Sequence, residues 1–121
     1  MKILLTTRFP DIESEMDPRF GRGANFLIVD ADTMAWQALP NPAISTAGGA
    51  GIRAAQFVAD QECEAVISGD FGPNAYHALK SAGVSMYQFG TCRTAQEAIQ
   101  RFKSGQIERL EALPERGRRQ R

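Results

Sequence analysis

Two stretches of this chain run from loop glycines into a helix behind a β-hairpin, an order that leaves few folds open. The apolar run AVIS at 65–68 passes through GDFGPNA, residues 69–75, into a helix predicted over Pro73 to Ala82. Proline suits the first helical turn, where its missing N–H costs nothing, and Gly83 suits the stop. Ahead of it, STAGGAGIRAA at 45–55 leads into a helix predicted over Ile52 to Asp60, with Ile52, Ala55 and Ala59 at helical spacing. Behind it, Val84 to Phe89 reads as a strand. Thr94 to Ser104 reads as a helix that opens on the capping box Thr94-Ala-Gln-Glu97 and stops at Gly105.

The first third of the chain supplies the hairpin. Lys2 to Thr7 and Asn25 to Asp30 are strand-like, and residues 8–24, which hold MDPRFGRG, form a long loop between them. Ala31 and Asp32 make a tight turn, Thr33 to Leu39 returns as the third strand, and PNPAISTAGGAG is a loop. Residues 106–113 are read as a short strand or strap.

The order β-β-β-α-β-α-β-α predicts an α/β fold of three layers, α/β/α, like the ribonuclease H motif. Right-handed crossovers give a mixed five-stranded sheet of order 3-2-1-4-5 with strand 2 antiparallel. A length of 121 residues suits one core. One domain is expected over 1–112, with a basic, flexible tail at 113–121. No apolar run approaches the roughly 18 residues of a membrane span, and MKILLTT reads as a buried strand rather than a signal peptide. A cytoplasmic protein with no membrane association is expected.

The net charge is zero, but Arg116, Arg118, Arg119 and Arg121 crowd the end of the chain. Without residues 115–121 the body holds ten basic and thirteen acidic residues, which argues against a nucleic-acid partner.

In this topology strands 1, 3, 4 and 5 point the same way. The loops carrying MDPRFGRG, STAGGAG, GDFGPNA and GTCRT therefore gather at one edge, where open α/β sheets bind ligands. A single glycine there is read as a turn residue, whereas four converging loops make a site. Glycines let a ligand approach the backbone, and three helix N-termini are expected to present free N–H groups. Arg19, Arg22, Arg53 and Arg93 lie on or next to these loops. The expected ligand is an anion or an anionic cluster.

Several chemistries fit poorly. A two-metal nuclease needs carboxylates on the first strand, and KILLTT has none. The loose GxGxxA match at Gly49 to Ala54 does not open the first βα unit, so a dinucleotide site is weak. His77 is the single histidine and reads as a surface residue, with metal ligation the alternative. Cys92 sits two residues before the helix cap and beside Arg93, a setting that favours thiolate and so a soft metal; an incidental loop cysteine is the other reading. Cys63 falls at the opposite edge as a filler, too far for a bridge to Cys92.

The segments MDPRFGRGANFLIVD, NP, GGAGIRAAQ, AVISGDFGPNAYHALKSAGV and TAQEAIQRFKSG resemble, in this order, the dinitrogenase iron–molybdenum cofactor biosynthesis family. That is the family of NifX, NafY and the C-terminal part of NifB, with small relatives of the orange-protein type. The likeness runs over about residues 1–110. It implies a ribonuclease H-like fold and non-catalytic binding or carrying of a metal–sulfur cluster or its precursor, of iron–molybdenum or molybdenum–copper type. Implied partners are metallocluster donor and acceptor proteins, with the chain a monomer or weak homodimer. By motif, Arg19, Phe20, Gly21 and Arg22 match the RFGR segment. Gly48, Gly49 and Gly51 match the glycine loop, and Gly69, Gly72, Pro73 and Asn74 the GPNA turn. Phe71 and Arg53, beside these motifs, complete the expected cofactor-binding set, with Cys92 and His77 as metal candidates. Cys92 and Cys63 depart from the family pattern. A regulatory interaction module without metal is the alternative, expected to show exposed apolar area around Phe20 and Phe71. A small enzyme acting on an anion comes third, because no acid–base pair converges on the edge.

Overall fold

The computed structural model describes residues 1–44 and 48–112. The expected basic tail at 113–121 and residues 45–47 of the glycine loop lie outside the described residues. The elements are β1 (Lys2–Thr7), β2 (Asn25–Asp30), β3 (Trp36–Pro40), α1 (Ala50–Asp60), β4 (Ala65–Ser68), α2 (Pro73–Ser81), β5 (Ser85–Gln88), α3 (Ala95–Lys103) and β6 (Glu108–Arg109).

The sheet runs β3-β2-β1-β4-β5-β6. β1 pairs antiparallel with β2 and parallel with β4, and β4 pairs parallel with β5. This is the expected order and the expected single reversal within the first five strands. The strap becomes a sixth strand, two residues long, antiparallel to β5.

The central strands are apolar almost without alternation because both faces are covered. Leu4, Phe26, Ile28, Val66 and Met86 turn to the face covered by α1 and α2, where Ala54, Val58, Ala75 and Leu79 meet them. Ile3, Leu5, Leu27, Val29 and Ile67 turn to the other face and pack with Ala95, Ala98 and Ile99 of α3. Among the described residues, then, two helices cover one face and a single helix the other.

Two boundaries differ from expectation by two residues or more. β3 starts at Trp36 rather than Thr33, because the turn before it is longer than two residues. Asp30 Oδ1 accepts from the N–H groups of Asp32 and Thr33 at 2.9 and 3.4 Å, and Met34 sits at φ 65°. α1 starts at Ala50, two residues early, because Gly49 at φ 71° releases the chain straight into the helix. The Thr94 cap forms as expected, its Oγ1 accepting from Glu97 N–H at 3.1 Å. Glu97 returns its bond to the N–H of Arg93, at 2.8 Å, one residue before the cap.

Candidate functional site

The loop after β1 organises the carboxyl edge of the sheet. Backbone bonds stitch it to β1 and to the turn after β4: Asp17 N–H donates to Thr6 O, Phe20 N–H to Asp70 O and Asp70 N–H to Pro18 O. The buried Thr6 hydroxyl lies 2.6 Å from Asp17 O, to which it donates, and 2.7 Å from Ser68 Oγ. Gly69 is required by this stitching. A Cβ there would stand 2.9 Å from the Cα and carbonyl of Pro18.

Beyond Pro18 the loop meets both helices on the α1–α2 face. Added Cβ atoms would stand 3.2 Å from Gly51 N at Gly21, and 3.1 Å from the Ala75 methyl at Gly51. Three backbones, those of the loop, α1 and α2, are thus stacked nearly in contact. Between them opens a cleft of about 290 Å³ lined by Gly21, Arg22, Ala50, Gly51, Gly72, Pro73, Asn74 and Ala75. The two helices are capped by Gly49, next to the lining residue Ala50, and by Gly72, which is part of the lining. Neither helix has a side-chain cap or an acidic residue in its first turn. Uncapped N–H groups and the positive end of each helix dipole favour an anion, and the lining adds one guanidinium and no carboxylate.

The sequence-predicted residues divide. Gly21, Arg22, Gly51, Gly72, Pro73 and Asn74 come together in the lining. Gly48 and Gly49 stand just outside it, with open space where a Cβ would be. Arg19 is held away: its Nε and Nη2 donate to the two Asp17 carboxylate oxygens, both at 3.2 Å. Arg53 donates to Pro42 O at 3.2 Å and lines a separate hollow with Gln56, Phe57 and Asp60. Phe20 and Phe71 are core residues, 1% and 6% exposed. Phe20 lies 6.0 Å from the ring of Phe26 and 5.4 Å from that of Phe71. Neither ring contributes to the exposed apolar area expected around this pair, because both turn inward to seat the loop. His77 is exposed, set edge-on to Tyr76, and is not part of the lining.

The third helix N-terminus does not join the site, and the expectation of three fails here. The loop after β1 covers it: Ala95 N–H donates to Ser14 O and Gln96 N–H to Ile12 O. Cys92 falls with it on the α3 face, 4% exposed among Ile3, Leu5 and Met16. Of the two readings of Cys92, this setting favours the incidental loop cysteine over the thiolate. Burial pushes the Cys92 thiol above its ordinary value, and nearby Arg101 only partly offsets this. Burial likewise pushes Cys63 up to about 11. Among the described residues no cluster of three or more His, Cys, Asp or Glu side chains is placed to hold a metal ion.

The sequence reading missed Asn41 and Asp17. Asn41, 2% exposed, donates to the carbonyls of Gly21 and Gly23 at 3.2 and 2.9 Å and accepts from Ala43 N–H at 2.9 Å. It pins the loop that floors the cleft, and the NP pair was its signal. Asp17 has no signal beyond standing two residues before an arginine. Burial alone would raise its pKa, but hydrogen bonds from the Arg19 side chain and backbone, with the Arg19 charge, hold it below the ordinary 3.8. A depressed carboxyl stabilises the fold above its unfolded value and loses that contribution as pH falls through the folded value. Asp17→Asn is expected to cost about 1–2 kcal/mol at neutral pH. In urea titrations at several pH values, the gap to wild type should close below about pH 4.

A hollow of about 340 Å³ at the other end of the strands, lined by Lys2, Ile28, Asp30, Ala35, Trp36 and Gln37, is larger. It mixes both charges, and the Lys2 ammonium is already donated to Gln61 O at 2.6 Å. Among the described residues no helix is long and apolar enough to cross a membrane.

Comparison with known proteins adds to this geometry. The sequence model of the family described as dinitrogenase iron–molybdenum cofactor matches residues 1–105. The apo form of the orange protein from Desulfovibrio gigas superposes with a TM-score of 0.89 at 36% identity, covering 94% of this chain and 96% of that one. A NifB-like protein from Thermotoga gives 0.82 at 31% identity, over 96% and 98%. An uncharacterised protein of Methanocaldococcus jannaschii is 28% identical over 111 residues, 89% of this chain and 93% of its own length.

Proposed function

The chain belongs to the dinitrogenase iron–molybdenum cofactor family, and from that membership we propose that its cleft binds and carries a metal–sulfur cluster or its precursor, without catalysis. The observation that carries this reading is the pair of uncapped helix N-termini, closed by Arg22 and free of carboxylate. Thiometallates and their copper adducts are compact anions with sulfur on the outside. Backbone N–H groups and helix dipoles hold such cargo without a covalent bond to the metal, so the cargo stays transferable. Donor and acceptor proteins approach at this edge, beside the exposed Ile44 and Ile52. Those two side chains also support the second reading, a regulatory interaction module with no metal. The cargo is of iron–molybdenum or molybdenum–copper type, and the role suits a reducing cytoplasm, in keeping with two free cysteines.

The test is anaerobic loading. The protein is incubated with tetrathiomolybdate and copper, and separately with iron and sulfide, then desalted for its visible spectrum and metal content. Stoichiometric colour is expected, and Cys92→Ala should keep it, because that thiol is buried on the opposite face. No bound metal under any condition overturns the carrier reading in favour of the interaction module. Loss with Cys92→Ala alone would move the site off the cleft.

A further inference from the structure

The free edge of the sheet at β3 is built unlike the edge at β6. β6 is two charged residues long, Glu108 and Arg109, a length and composition that discourage further pairing. β3 reads Trp-Gln-Ala-Leu-Pro and carries no charge. Asp30 N–H donates to Ala35 O at one end of the β2–β3 ladder and Asn41 N–H to Ala24 O at the other. Because bonded and non-bonded pairs alternate in an antiparallel ladder, Gln37 and Leu39 spend their backbone groups on β2. Trp36, Ala38 and Pro40, opposite Val29, Leu27 and Asn25, turn theirs outward. Among the described residues no other strand pairs with this edge. Trp36, at 42%, is one of the few large apolar side chains left exposed.

We propose that β3 is a self-complementary docking edge and that its occupant is β3 of a second copy of this chain, related by a two-fold axis through Ala38. In that antiparallel register Ala38 exchanges both of its bonds with its counterpart. Trp36 N–H donates to the partner copy's Pro40 carbonyl, and the symmetric bond does the same. Proline lacks only the return N–H, so four bonds form. The same register sets the exposed indole over the pyrrolidine ring, an apolar cross-strand pair, and brings no like charges together. Proline at an outward position is the form compatible with an edge strand. Five residues per copy cover much less than the roughly 800 Å² per partner of a stable complex. The association is accordingly weak, with a Kd of the order of 100 µM.

Two measurements on the whole chain test this. In sedimentation velocity the mean sedimentation coefficient should rise between about 10 and 500 µM. Ala38→Pro should abolish the rise, since it deletes an outward N–H and leaves the β2 ladder intact, and Trp36→Ala should weaken it at least about fivefold. In wild-type hydrogen exchange, the amides of Trp36 and Ala38 should gain protection with concentration, while those of Gln37 and Leu39 are protected throughout. This second measurement stands even where Ala38→Pro fails to fold. No concentration dependence in either measurement overturns the proposal and leaves the edge to a strand of another protein. Association that survives both variants unchanged overturns it as well.

Discussion

Gly72→Asp is expected to stabilise the fold while emptying the cleft. Gly72 is the cap of α2, in an extended conformation (φ −66°, ψ 164°) open to any residue, and a Cβ there meets nothing within 4 Å. Aspartate is among the strongest N-cap residues, gaining a few tenths of a kcal/mol over glycine. It also removes some freedom from the unfolded chain. Its carboxylate would occupy the N–H groups that cargo needs and place a like charge against an anion. A like charge at contact range in a half-sheltered site costs more than about 1.4 kcal/mol, so affinity for tetrathiomolybdate should fall at least about tenfold. A urea titration and a loading titration on the same sample check the two signs. A variant that is stabilised yet loads like wild type would remove the cleft from the carrier mechanism. An unstable variant would say nothing against the cleft but would refute the description of the cap.

The largest loss of stability is expected from Phe20→Ala. The ring is 1% exposed and lies between those of Phe26 and Phe71. Emptying such a position costs about 3–5 kcal/mol in lost burial and cavity. Much of the margin of a chain this size, about 5–15 kcal/mol, would go with it. The loop between Asp17 and Gly23 is held from below by this ring and from the side by Asn41. Cargo binding should therefore weaken even in buffer where the variant is still folded. Phe20→Leu, which keeps most of the volume, should recover most of the stability. The urea midpoint and the loading titration measure both effects. A cost below about 1 kcal/mol would mean that the ring is not the anchor of the loop.

The strand order was legible because apolar runs, one hairpin and two crossovers permit little else. β3 was the weak point: its start is set by Asp30 and by the positive φ of Met34, neither written in strand periodicity. Most of the candidate cleft's lining was legible too, since glycine and proline at helix starts announce themselves. The α3 end was not. Whether a helix terminus is open depends on which carbonyls reach it, and those of Ile12 and Ser14 have no side-chain signature. Cys92 was left open between two readings for a related reason. Its neighbours in sequence favour ionisation, but its neighbours in space are apolar. Phe20 stands within RFGR and turns inward, because one residue in a loop of this shape must anchor it.

The stacking of Gly21, Gly51 and Ala75 limits how such a chain can diversify. Gly21 and Gly51 can take a side chain only if the Gly51 backbone and the Ala75 methyl give way by a few tenths of an ångström, so the floor of the cleft is main chain and would recognise cargo by charge and girth. Gly48 and Gly72 have room above them and are free to acquire side chains. Relatives built for different metals would then differ at the rim, over a bare floor.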